Sequence, residues 1–154
     1  RRGTININTN GSRPGILAAL FDAGLDSVRI SLNSSRKPCY DAYFRPKGYA
    51  FDDVIKSIET AGIKKKFVSV NYLNCPGFTD TPEEFDALSE LMRAYPVNMI
   101  QWRNLNFDPK RYWKIMSAVS RPGNPMGMHR IISRIKESFP DVKHGYFNPP
   151  KEKF

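Results

Sequence analysis

Four segments of this chain alternate apolar and polar residues with a period of two, and a helix-like stretch comes after each. They are TININ (4–8), SVRISLN (27–33), KFVSVNYL (66–73) and VNMIQWRNL (97–105). The period and the β-branched residues predict strands, each with one apolar and one polar face. Strands alternating with helices predict parallel pairing and right-handed crossovers, hence an α/β fold.

The helices carry their own signals. Residues 14–23 place Ile16, Leu17, Leu20 and Phe21 on one face, with Pro14 suited to a first turn and Gly24 to a stop. After a long loop, Phe51, Val54, Ile55 and Ile58 follow helical spacing, with Asp52 and Asp53 in the first turn and Gly62 as the terminator. TPEE (81–84) reads as a capping box, with Thr81 as cap, Pro82 at the first position and Glu84 reaching back. Its apolar face is Phe85, Leu88, Leu91 and Met92. Asp108-Pro109 opens a helix carrying Tyr112, Ile115, Met116 and Val119. Beyond residue 119 the rhythm breaks into a loop, one amphipathic helix (MHRIISRIKESF) and a Pro-containing tail expected to pack through Tyr146 and Phe147. The division expected is residues 1–119 as barrel and 120–154 as helix and tail packed on it.

The polar face is the informative one. A doubly wound sheet is covered on both faces, so its strands read as continuous apolar runs. Here Asn6, Asn8, Arg29, Ser31, Asn33, Ser69, Asn71, Gln101 and Arg103 alternate with apolar residues. Left dry and unpaired at roughly 1–3 kcal/mol each, these nine would cancel a typical stability of about 5–15 kcal/mol. That face must line a wet cavity or a polar ligand site. A curved sheet with helices outside and a polar lumen is a barrel or part of one, and in barrels the C-terminal strand ends build the site. Those ends are rich in amides and hydroxyls: Asn8 to Ser12, Asn33 to Ser35, Asn71 to Gly77, and Arg103 to Asn106. They hold no histidine or carboxylate; the next acids downstream are Asp41, Asp80 and Asp108. The pattern favours binding a polar, carboxylate-bearing molecule over acid–base catalysis. The competing reading is that the asparagines only turn the chain and cap helices.

With 154 residues the chain is long enough for one real core. No apolar run approaches the roughly 20 residues of a membrane span. Two cysteines, Cys39 and Cys75, point to a reducing cytosol rather than a disulfide scaffold. The net charge of +9 favours anionic partners.

TNGS (9–12) at a strand end, a helix, and then AGLDSVRISLNS (23–34) with Tyr40 or Tyr43 beyond resembles the middle of a radical S-adenosylmethionine (radical SAM) enzyme. NYLNCPGFTDTPEE (71–84) resembles the next strand and its turn in the glycyl-radical-activase-like and cofactor-biosynthesis branches. The resemblance covers about residues 3–107. It implies a partial (β/α)6 barrel. It also implies a [4Fe-4S] cluster held by a CxxxCxxC loop, a Gly-Gly-Glu turn for the SAM amino group, and 5′-deoxyadenosyl-radical chemistry. Neither motif occurs in this sequence. The expectation is therefore a fragment supplying strands three to six, inactive alone, and the abrupt start at Arg1 agrees with it. By the resemblance, Ser31 and Asn33 contact the ribose and carboxylate of SAM, and Asn71 lies near the adenosyl group. Arg103 and Asn104 sit where adenine or substrate is contacted, and Arg29 is structural or carboxylate-binding. Asn8 and Asn10 complete the expected cofactor-binding set. The implied partners are SAM, an unidentified substrate and an electron donor, with no membrane.

Two other readings stay open. One is an RNA-binding module, since CYDAYFRPKGYAF (39–51) interleaves Tyr40, Tyr43, Phe44 and Tyr49 with Arg45 and Lys47. Those rings equally suit anchoring a loop over the barrel mouth. The other is a non-radical α/β-barrel enzyme for an anionic metabolite. No metal role is expected for His129 or His144, and Cys39 with Cys75 is a weak candidate for a metal or redox pair.

Overall fold

Parallel strands β1 (Asn6–Thr9), β2 (Ser27–Leu32), β3 (Phe67–Asn74), β4 (Met99–Asn104) and β5 (Lys143–His144) lie side by side in chain order. The helices are α1 (Pro14–Asp22), α2 (Lys37–Phe44), α3 (Phe51–Ile63), α4 (Pro82–Ala94), α5 (Pro109–Ser117) and α6 (Met128–Ser138). The computed structural model describes residues 3–145. The expected packing of Tyr146 and Phe147 lies outside the described residues.

When every crossover advances one strand in the same direction with the same hand, the helices gather on one face. The core shows it: Val28, Ile30, Val68, Val70 and Ile100 are fully or almost fully buried. They form one cluster with Leu17 and Phe21 of α1, Val54 and Ile58 of α3, Phe85 and Leu88 of α4, and Ile131 and Ile135 of α6. The opposite face follows from the pleat. Its register rows run Asn6–Ser27–Phe67, Asn8–Arg29–Ser69–Met99–Lys143, and Ser31–Asn71–Gln101, with Leu73 beside Arg103 above them. The sheet is open, with β1 and β5 at its edges. Among the described residues no helix is long and apolar enough to cross a membrane.

Five details differ from the sequence reading. The described residues form five strands rather than four, because Lys143 and His144 pair with Met99 and Ile100. The inner face is mixed: Phe67 and Met99 plug its lower end, and Lys143 Nζ lies 5.5 Å from the Phe67 ring centre. The long loop after β2 contains α2, whose Tyr40 is fully buried with its ring 4.6 Å from Phe44 and 4.9 Å from Phe51. Tyr40 therefore anchors the segment and offers no face for base stacking.

Gly62 does not end α3. It sits inside the helix, where a Cβ would fall 2.1 Å from Pro96 Cγ. Lys65 takes the left-handed position (φ 51°), with Lys66 N donating to Ala61 O and Lys65 N to Gly62 O. Finally, Thr81 caps α4 by accepting from Glu84 N, but the Glu84 side chain does not reach back to the cap.

Candidate functional site

The C-terminal ends of β2, β3 and β4 surround a cavity of about 490 Å³. Its polar wall is Ser31, Asn33, Asn71, Arg103, Asn104 and Asn106; Leu32 and Leu73 add apolar surface, and Tyr43 and Phe44 of α2 face them. The volume falls within the range of small-molecule sites, about 300–1,000 Å³. Strand alternation explains why these residues converge: Ser31 and Asn71 share a register row, and Arg103 lies one row higher.

Asn33 is 1% exposed. Its Nδ2 donates to Cys39 O at 3.0 Å and Tyr112 Oη at 3.3 Å, tying β2 to α2 and α5. Its Oδ1 is buried without a hydrogen-bond partner, and so is Asn71 Oδ1. A buried acceptor left unpaired costs about 1–3 kcal/mol. Two of them on one cavity wall fit a ligand that brings hydroxyl or ammonium donors.

Five of the eight residues expected at the site line this cavity: Ser31, Asn33, Asn71, Arg103 and Asn104. Arg29 lies one row deeper on the same face. Burial first, and then the Arg103 cation, hold its guanidinium below its ordinary pKa. Asn8 and Asn10 are exposed, away from the cavity wall. Asn8 Oδ1 accepts from Asn6 Nδ2 at 3.1 Å, and Asn10 Oδ1 accepts from Ser12 N at 3.1 Å, turning the chain. Gly11 in that turn has φ +73°, and a Cβ there would crowd Val54 and Ile30.

Asn106, in the strand end expected to build the site, is also a wall residue, and so are Tyr43 and Phe44; sequence reasoning missed that a helix carries these two. Pro38 near the start of α2 was the signal for a helix that brings those two there. Sequence reasoning also missed a buried network behind the wall. Glu84, 1% exposed, accepts from Ser34 Oγ at 2.7 Å, Ser35 N at 2.7 Å and Arg36 Nε at 2.8 Å, and also from Tyr72 Oη. Arg36 donates further to Ser120 Oγ at 2.9 Å. Burial opposes the Arg36 charge, but the hydrogen bond and charge of Glu84 outweigh it, so its pKa rises. Burial, then the Glu84 charge, raises Tyr72 well above its ordinary value. The network fixes the segment that follows Asn33.

The nearby acids serve the backbone: Asp80 Oδ1 accepts from Gly77 N at 2.6 Å and Asp108 Oδ1 from Arg111 N at 2.7 Å. Cys39 and Cys75 are buried free thiols in a cluster with Leu73, Phe78, Tyr112 and Met116. Burial raises both, and with the Asp80 charge it pushes Cys75 up to about 11, so neither is a thiolate near neutral pH. His129 is exposed, and His144 Nδ1 accepts from Trp102 Nε1 at 2.9 Å. Among the described residues no group of three or more His, Cys, Asp or Glu could hold a metal ion.

No curated protein matches the chain. Solved structures share its fold, and two of them illustrate the likeness. One is methylornithine synthase (PylB), at 16% identity with a TM-score of 0.61 over 92% of this chain and 40% of that one. The other is a radical SAM methyltransferase from Sphaerobacter thermophilus, at 15% identity with a TM-score of 0.53 over 78% of this chain and 39% of that one. The chain thus spans about two fifths of the length of each. The family model described as the Radical SAM superfamily matches residues 1–92.

Proposed function

The chain belongs to the radical SAM superfamily, and from that premise we propose that its cavity is where S-adenosylmethionine and substrate are held together. The observation that carries this reading is the pair of buried, unpartnered acceptors, Asn33 Oδ1 and Asn71 Oδ1, on a wall that also offers the Ser31 hydroxyl. The ribose hydroxyls and the ammonium of SAM are donors of the kind these oxygens lack. Arg103 and Asn104 face the same space from β4, and Tyr43 and Phe44 provide an aromatic wall that limits water. Bound and reduced by one electron in the whole enzyme, SAM would supply hydrogen-atom abstraction from a substrate carbon.

Superfamily membership implies a [4Fe-4S] cluster as well as SAM. The described residues do not fit a cluster, since they contain no suitable ligand group. In our reading this chain contributes binding and orientation and is inactive in radical chemistry by itself. The whole enzyme is cytoplasmic and takes electrons from a donor protein. The Gly77–Asp80 turn, as a sequence resemblance, favours a glycyl-radical-activase-like reaction type.

Side-chain amide NMR tests the reading. Millimolar SAM should shift the Asn33 and Asn71 NH2 signals in a saturable way, and Asn71→Ala should weaken binding about fivefold or more, the loss of roughly one hydrogen bond. Unmoved amides with SAM in excess would sink it.

A further inference from the structure

Helix α5 turns toward solvent a face that the cavity does not use. Residues 109–121 carry Lys110, Arg111, Lys114 and Arg121 and no acid. Lys110, Trp113, Lys114 and Ser117 stand at helical spacing and form one exposed stripe. Arg111 is engaged beside it, with its guanidinium 5.6 Å from the Phe107 ring centre. Among the described residues Lys110, Lys114 and Arg121 form no ion pair. The acids on adjoining segments serve the backbone: Asp108 accepts from Arg111 N and Asp80 from Gly77 N. Glu83 borders the neighbouring loop at Gly123.

A face made only to be wet would not hold Trp113. The side chain is 44% exposed, and no other aromatic among the described residues is as exposed. The ring is also fixed. A Cβ on Gly77 would fall 2.9 Å from Trp113 Cη2, so glycine is what lets the far edge of the ring rest on that turn. Phe78, 1% exposed, meets the ring edge-on with centroids 4.8 Å apart. The turn beneath is held from two sides, with Gly77 N donating to Asp80 Oδ1 at 2.6 Å and Gly77 O accepting from Gly123 N at 3.2 Å. The second bond keeps the loop that carries Arg121 beside the same turn. A ring immobilised before binding has little freedom left to lose, and tryptophan leads the residues that carry interface energy.

We propose that this face docks a protein partner whose contacting surface is acidic. Trp113 is the apolar anchor, and Lys110, Lys114 and Arg121 are the charged rim. Charge complementarity sets the sign of the partner. Single-stranded nucleic acid fits less well, because it stacks successive bases on several rings. The other rings here are covered: Phe78 and Tyr112 are buried, and Phe107 lies against Tyr43 and Arg111. None of the stripe lines the cavity, so the proposal stands apart from the SAM reading.

The test takes the full chain and a fluorescein-labelled random copolymer of glutamate and tyrosine, which offers carboxylates and apolar rings together. Fluorescence anisotropy at physiological salt should show saturable binding, tighter than that of polyglutamate. Trp113→Ala should weaken it about tenfold or more, the scale of a hot-spot residue. Lys110→Glu with Lys114→Glu should weaken it and lessen its salt dependence. Lys47→Glu with Lys56→Glu removes the same charge from exposed positions off α5 and should leave it nearly unchanged. Backbone NMR spectra check the fold of each variant, and the exposed lysine pair decides the matter should Trp113→Ala loosen the turn. Equal losses from the two lysine pairs would reduce the binding to net charge and overturn the proposal. So would undiminished binding by Trp113→Ala, a copolymer that never saturates, or tighter binding of poly(U) through the same residues.

Discussion

Glu84 shows how one residue can be read locally and act at long range. Its spacing from Thr81 suggests a capping box, yet its carboxylate is spent on Ser34, Ser35 and Arg36, about fifty positions away, and on Tyr72. No sequence pattern marks such a partner set, because it exists only once β2, β3 and α4 are packed. Removing one member of a buried charged network strands the others, at about 3–5 kcal/mol. Glu84→Ala should lose that much in urea denaturation, while Glu84→Gln, which keeps an acceptor, should lose less. Cys75 gives a pH signature. Its thiol is raised from 9.0 to about 11 in the native state, by burial first and then by Asp80. Below pH 9 both folded and unfolded thiols are protonated. Above it the unfolded thiol ionises first, so native stability falls as pH rises toward 11, by about 2–3 kcal/mol. Tyr72 and Tyr112, also raised, add the same sign at higher pH. The fall in denaturation midpoint between pH 9 and 11 should shrink in Cys75→Ala.

Elements with strong periodicity were legible in the sequence, and elements decided by packing were not. The α1 stop is a case of the first kind: Gly24 has φ +106°, Leu25 N donates to Leu20 O and Gly24 N to Phe21 O. At the end of α3 the same cue misleads, because Gly62 is present for its closeness to Pro96 and Lys65 supplies the left-handed turn. This sets up a decision between two effects. Alanine is favoured over glycine within a helix by about 1 kcal/mol, and forcing an extra carbon into a filled contact costs about 1–3 kcal/mol. At 2.1 Å from a proline ring the second wins. Gly62→Ala should lower the melting temperature, and adding Pro96→Ala should recover most of the loss. β5 escaped notice for a different reason: two residues are too few to show alternation, and Lys143 and His144 lack the β-branched signature.

For the whole molecule, the contrast between the two faces of the sheet was the most legible feature, since it depends on every strand at once. The apolar side is the core, and the polar side holds the cavity with Ser31, Asn33, Asn71, Arg103 and Asn104 together. The sequence could not supply the height of each residue along the lumen. Register alone separates Arg103 at the rim from Arg29 below it, and lets Phe67 and Met99 close the lower end. The strand order has a kinetic consequence. Because neighbours in the sheet are neighbours in the chain, each pairing closes only a loop of one or two helices and their turns, and no strand waits for a distant partner. Chains wired this way reach their folding barrier at small entropic cost. The nucleus is expected around β3, whose ladders with β2 and β4 are equally the longest, with β1 and the two-residue β5 joining later. Native-state hydrogen exchange should then rank the amides of Val28–Leu32 and Val68–Tyr72 slowest and those of β5 fastest among the strands. If β5 exchanged as slowly as β2, folding would be all-or-none along the sheet instead of a relay that starts in the middle and finishes at the edges.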